Sequence, residues 1–218
     1  MTHQKRLSAP RHYPIQRKDQ TYITTITGSR ENTDAIPALV FLREVTNYAE
    51  TKKEAKQIIR NGQMLRNNEP LGDIREGIGN LDLIELPDAE EKFRVVKKGE
   101  DLEFLETNSD EVVAKITGKK DEGEEYVYHL HNGENYQSNE EYEVGNTLRL
   151  NDGEEVELEE GVQVLVTDGK HAGETGELKD IVRQGINPDT ATLSNGKEFD
   201  TRLENLVPTT GLDLGDAQ

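Results

Sequence analysis

IPALVFLREVTNYAETKKEAKQIIRNGQMLRNNEPL, residues 36–71, reads as two short helices followed by a hairpin. Pro37 suits the first turn of a helix, where its missing N–H would have no intrahelical partner anyway. Leu39, Leu42 and Val45, joined by Val40 and Phe41, give that helix a wide apolar face. A second helix opens at Thr51 in the pattern T-x-x-E. There the Thr51 hydroxyl caps a first-turn N–H and Glu54 reaches back toward the cap. Ala55, Ile58 and Ile59 recur at i, i+3 and i+4, and Asn61-Gly62 supplies the stop. The two helices are expected to pack as a hairpin. Gln63 to Arg66 and the stretch after Asn67-Asn68 predict a tight β-hairpin, with a further strand over 81–86.

Lys52, Lys53 and Lys56 crowd the first turns of the second helix, and Arg60 lies one turn beyond Lys56. Cations at a helix N-terminus oppose the macrodipole by roughly 0.3–1 kcal/mol each. An anion docked at that end would offset the cost, because free N–H groups and lysines would converge on it. For an isolated cluster, a solvated helix face is the commoner outcome.

N-terminal to this stretch lies MTHQKRLSAPRHYPIQRK, residues 1–18. It holds five Lys or Arg residues (Lys5, Arg6, Arg11, Arg17 and Lys18) and no acid, in a chain of net charge −18. Pro10 and Pro14 and the lack of any period predict an extended, irregular tail without a core of its own. Its cations alternate with Leu7, Tyr13 and Ile15, which suits a segment lying along a phosphate backbone. By composition alone a solvated, disordered terminus or a leftover targeting segment fits equally well.

C-terminal to it, 99–157 reads as small β structure. VVAKI at 112–116 and EYVYHLH at 125–131 have strand composition, and Asn132-Gly133 is a strong hairpin turn. Asn151-Asp152-Gly153 separates TLRL from EEVEL in the same way. His129 and His131 could share a strand face. Without Cys or a third placed ligand they read as surface histidines rather than a zinc site. The last module, EEGVQVLVTDGKHAGETGEL at 159–178, alternates like a strand and is punctuated by Gly161, Gly169, Gly173 and Gly176.

The bulk numbers agree with several thin cores. Across 218 residues, 32% are hydrophobic and 5% aromatic, and there is no Trp. Absence of Cys excludes disulfides and thiolate metal sites and fits a reducing cytoplasm. No apolar run approaches the ~18 residues of a membrane span. Residues 99–218 carry 9 basic and 30 acidic residues, so the net negative charge lies almost wholly in the second half. Such a surface suits a salt-rich cytosol, and a halophilic source is expected. No phosphate-cradling loop, nucleophile elbow or Cys-based site is present, and Glu pairs such as Glu140-Glu141 read as solvated charge, so no enzyme is expected.

Taken together, these segments resemble a known family. L-R-E at 42–44, Y-A-E-T-K-K-E-A-K at 48–56, then Gly62 and the Asn67-Asn68 hairpin are similar to the small RNA-binding module named after ribosomal protein S-four. The arm matches H-x-K-R-x-x-A-P-x-x-W-P-I-x-R-K through His3, Lys5-Arg6, Ala9-Pro10, Pro14-Ile15 and Arg17-Lys18, with Tyr13 in the Trp position. Residues 159–178 resemble the KOW motif, and F-D-T-R-L-E-N at 199–205 is similar to the ending F-x-T-R-L-x-N. All of this points to the e-type S-four family of archaeal and eukaryotic small ribosomal subunits.

The resemblance implies an α+β, multi-module fold. Its parts are a basic arm and linker over 1–35, an S-four-type RNA-binding domain over 36–98, a central β domain over 99–157, an SH3-like KOW barrel over 158–208 and an acidic tail over 209–218. It implies a structural role in the small subunit with no cofactor. The implied partners are small-subunit ribosomal RNA and neighbouring ribosomal proteins, with no membrane and no homo-oligomer. The implied RNA-binding residues are Lys5, Arg6, Arg11, His12, Tyr13, Arg17, Lys18, Arg43, Lys52, Lys53, Lys56, Arg60, Lys170, His171 and Arg202. Glu174 and His171 depart from the residues relatives often carry in the KOW turn. Two other classes share parts of the pattern: a free KOW-type RNA-binding or transcription-elongation factor, and the remnant of an S-four-containing RNA-modifying enzyme.

Overall fold

The computed structural model describes residues 4–123, 125–185 and 187–209, so His3 and the tail beyond Thr209 lie outside it. The chain is β-rich, with several antiparallel sheets and few helices. It divides into two compact units, residues 4–96 with 100–108 and residues 97–99 with 109–209.

In the first unit, Pro37 is the extended residue before helix α1, Ala38–Val40. That helix runs on into a π-turn over Phe41–Val45, where the Thr46 N–H donates to the Phe41 carbonyl at 3.0 Å. The whole of Ala38 to Leu42 is buried, as its apolar face predicts. Helix α2, Lys52–Arg60, carries the expected capping box: Glu54 N donates to Thr51 Oγ1 (3.2 Å) and Thr51 N donates to Glu54 Oε2 (3.3 Å). Ala55 and Ile59 face the core, and Gly62 adopts φ 68°, a left-handed stop that glycine takes without strain.

A five-stranded sheet covers this helix pair, in the order Glu69–Pro70, Leu65–Arg66, Leu83–Leu86, Glu91–Lys98, Asp101–Glu106. Asn67 and Asn68 turn the first hairpin with φ of 55° and 67°, a conformation Asn tolerates. Phe41 packs edge-on against Phe93 (5.7 Å between ring centres) and at a tilt against Phe104 (5.1 Å), so the strand Asp101–Glu106 belongs to this core.

The arm departs from expectation, because it is folded rather than a free tail. Gln4–Lys5 pairs with Tyr22–Ile23, and Ala9 and Tyr13 are buried in the same core as α1. An irregular segment leaves backbone carbonyls without ladder partners, and here guanidinium groups supply them. Arg6 Nε donates to the Gln16 carbonyl at 2.6 Å, and Arg17 donates to the carbonyls of Ala9 (2.6 Å) and Pro10 (2.8 Å). The linker that follows is anchored by Arg30, which pairs with the buried Asp82 carboxylate. Asp82 also accepts from Asn67 Nδ2 (3.0 Å) and from Gly79 N (2.9 Å). A Cβ at Gly79 would stand 2.7 Å from the Asp34 carbonyl, so glycine is required for this close approach.

The second unit holds two five-stranded antiparallel sheets. One runs Asn135–Ser138, Tyr126–Leu130, Val113–Asp121, Thr147–Arg149, Glu155–Val156; the Asn132-Gly133 turn joins its first two strands. Its core is aromatic, with Tyr128 and Tyr142 at 5.2 Å between ring centres. The other runs Glu198–Arg202, Thr190–Ser194, Thr175–Val182, Gln163–Val166, Leu206–Pro208, around a core of Val164, Leu178 and Leu193. Lys115 joins the two: its buried Nζ donates to the carbonyls of Glu204 and Leu206, both at 2.6 Å. Burial pulls the Lys115 pKa down to about 8, against the opposing attraction of the Glu204 carboxylate.

Candidate nucleic-acid interface

The arm, α1 and the start of α2 enclose a cleft of about 430 Å3. Arg6, Arg43, Lys52 and Arg75 line it, with Glu44 the one carboxylate among them. Arg6 Nη2 sits 3.2 Å from Glu44 Oε1, and Arg43 Nη2 sits 4.0 Å from the same oxygen. Arg6 is buried and held at its other end by the Gln16 carbonyl, so it serves mainly to neutralise Glu44. Among the described residues no ion pair engages Lys52 or Arg75, and their charge is left facing the cleft.

From the cleft the positive face continues along α2. Lys52, Lys53, Lys56 and Arg60 are all exposed, and spacings of three and four put Lys53, Lys56 and Arg60 on one stripe. The N-terminus of this helix is not a vacant anion site. Glu54 Oε2 already accepts from Glu50 N (2.8 Å) as well as from Thr51 N, and these backbone donors hold its pKa below the ordinary value. The helix end supplies its own carboxylate, which also eases the burden of three lysines there.

Among the other arm residues predicted to bind RNA, Lys5, Arg11 and Lys18 are exposed, and Arg11 lies 3.7 Å from Glu100. Arg6, His12 and Tyr13 are buried in the unbound chain. His12 Nε2 lies 3.2 Å from the Ala35 carbonyl, and Arg17 is half-buried on the arm's own carbonyls. The Tyr13 hydroxyl is buried without a hydrogen-bond partner, and burial pushes its ionisation far above the usual phenol range.

In the second unit the predicted residues are arranged differently. His171 stacks on Phe199 with ring centres 4.4 Å apart and has its Nδ1 3.0 Å from Glu174 Oε1. Arg202 pairs with Glu204 at 3.1 Å. Lys170 is exposed. Gly173, at φ 88°, could not carry a Cβ, which would meet the Lys97 carbonyl at 2.9 Å. His129 Nδ1 lies 2.7 Å from Asn135 Oδ1, and His131 Nδ1 accepts from Lys115 N at 3.2 Å. Among the described residues no group of three or more His, Asp or Glu is placed to hold a metal ion, and no helix is long and apolar enough to cross a membrane.

A curated protein from Haloarcula marismortui, "Small ribosomal subunit protein eS4", is 31% identical to this chain over 94% of either length. The chain belongs to the eS4 family. A relative of the same name from Archaeoglobus fulgidus is 32% identical, covering 94% of this chain and 91% of its own. Another from Methanocaldococcus jannaschii is 30% identical over 91% and 90%. The fold is similar to the crystal structure of 30S ribosomal protein S4e from Thermoplasma acidophilum, with TM-score 0.67, 18% identity, and 83% of this chain and 98% of that one covered. No protein-family model matches the chain.

Arg75, Gln4 and Tyr22 are cleft residues that the sequence reading missed. Arg75 lies outside every motif; the pairing of Ala35–Pro37 with Gly77–Gly79 and the bond that Thr27 N donates to the Arg75 carbonyl (2.9 Å) bring its segment beside the arm and linker. Arg43, by contrast, was marked by the L-R-E pattern.

Proposed function

We propose that this chain is a structural component of the small ribosomal subunit, which binds and stabilises folded ribosomal RNA and catalyses nothing. Membership of the eS4 family supports the assignment to the subunit, and the cation-lined cleft continuing into the exposed lysines of α2 carries the RNA reading. Lys52, Arg43 and Arg75 take phosphates at the cleft, while Lys53, Lys56, Arg60, Lys5, Arg11 and Lys18 extend the contact across the first unit. Arg6, His12, Tyr13 and Arg17 act behind this surface by holding the arm. Neutralising crowded phosphates favours one packed RNA geometry, and recognition is of shape and backbone, because the deep groove of A-form RNA excludes side chains.

In module terms, residues 36–98 are the S-four-type domain, extended by the strand Asp101–Glu106, and residues 158–208 form the KOW-type barrel beside the central β domain. The partners are small-subunit RNA and neighbouring ribosomal proteins, and the location is the cytoplasmic ribosome. Sedimentation tests the reading. The tagged chain, expressed in an archaeal host, is expected to travel with the small subunit through a sucrose gradient, and the Arg43→Glu, Lys52→Glu double variant to stay near the top. A wild-type chain that fails to co-sediment overturns it. Deleting residues 1–18 is a poorer test, since it removes Ala9 and Tyr13 from the core.

A further inference from the structure

The cleft is better shaped for a whole nucleotide than for a stretch of backbone. A duplex or a straight strand presents phosphates to a convex or flat basic surface. Here Arg43, Lys52 and Arg75 line a concavity of about 430 Å3, within the size range of small-ligand pockets. Its remaining walls are not those of a phosphate site. Tyr22 lines it while keeping 56% of its surface exposed, and Thr24 adds a hydroxyl. Gln4 lines it too, and its side-chain carbonyl oxygen is buried without a hydrogen-bond partner.

That oxygen is informative because a phosphodiester has only acceptors to offer. A buried acceptor left unpaired is costly, and its complement is a donor: a base amino or imino group, or a ribose 2′-hydroxyl. A tyrosine beside it suits the π-face of an unstacked base, which is how folded RNA is read where its helices break. We propose that the cleft receives one extruded nucleotide of folded RNA, its phosphate on Arg43, Lys52 and Arg75, its base on Tyr22, and a donor of the base or ribose on Gln4. This inference rests on the RNA-binding reading and gives it a specific ligand.

The test uses the full chain and two RNA hairpins of equal nucleotide number, one fully paired and one with a single-nucleotide bulge at mid-stem, the latter made with each of the four bases. At least one bulged hairpin is expected to bind tenfold or more tightly than the paired one. Tyr22→Leu should bring that preference below threefold, and Tyr22→Phe should keep it. Gln4→Leu should weaken the bulged hairpin alone. Tyr22 is largely exposed, so thermal melting should show its variants folded. Equal affinity for paired and bulged hairpins, with both weakened by Arg43→Glu, overturns the extruded nucleotide and leaves the RNA reading standing. If Arg43→Glu and Lys52→Glu change neither affinity, both readings fall.

Discussion

The two units differ in how they dispose of the cations that their motifs mark. In the first unit, among the described residues, Lys52, Lys53, Lys56 and Arg60 stand exposed and unpaired on α2, and the one carboxylate at the cleft is neutralised from behind by Arg6. In the second, Arg202 is paired with Glu204, His171 lies against Glu174, and Lys115 is buried on backbone carbonyls. What matters for an anionic partner is the charge that the fold leaves unanswered. By that measure the first unit offers an anionic partner more unanswered charge, although sequence motifs mark both.

The largest expected effect tests whether the arm really is part of the first unit's core. Tyr13→Ala removes a ring that is 2% exposed and should destabilise that unit by about 3–5 kcal/mol, read by chemical denaturation. A change below about 0.5 kcal/mol would mean that the arm is a loose tail and would dissolve the contrast drawn above.

Charge reversal then compares the two faces directly. Arg43→Glu with Lys52→Glu should weaken binding to a small-subunit RNA transcript by roughly 100-fold at 0.1 M salt and flatten the salt dependence by more than one unit of slope. Lys170→Glu with Arg202→Glu should cost about threefold or less, because one of those cations already has a carboxylate partner. Equal losses from the two pairs, measured by filter binding across a salt series, would refute the difference between the units.

The buried cation of the second unit has a pH signature. The Lys115 pKa is about 8 when folded and near 10.4 when unfolded, so between these values the unfolded chain holds a proton that the folded chain has released. Stability should therefore rise with pH across this window, by about 2 kcal/mol between pH 7 and 9.5 for this group alone. Lys115→Met should lack that rise, and parallel stability curves for the two proteins would show that Lys115 is not buried as described. The smallest effect is Tyr13→Phe. Removing a buried hydroxyl that has no partner should leave stability unchanged or raise it by up to about 1 kcal/mol.

Much of this organisation is legible in local chemistry. The capping box at Thr51, the stop at Gly62 and the turn at Asn132-Gly133 each depend on residues within a few positions of one another, and they appear where the sequence puts them. The arm does not, because the groups that fold it are distant in sequence. Arg6 meets Glu44 across 38 residues and His12 meets the Ala35 carbonyl across 23, and basic residues without a period look solvated until such partners are known. Lys115 misleads in the same way. A lysine inside VVAKI suggests an outward-facing position, and only the carbonyls 89 and 91 residues away explain its burial. Of the interface, the exposed residues on α2 could be read directly, while the hollow beside them depends on segments that only the fold brings together.

The π-turn over Phe41–Val45 gives this hollow an unusual sensitivity to chain length. Each residue of an α-helix advances the side-chain direction by about 100°. Loss of a single residue from that turn would let a regular helix form while swinging the following positions by about that angle, with Arg43 and Glu44 inside the altered segment. Substitutions there can be absorbed by repacking, but a one-codon deletion cannot. Among homologous chains, the number of residues between Pro37 and Thr51 should therefore be held more strictly than their identities, so that counting them would be a simple way to ask which chains keep the same cleft.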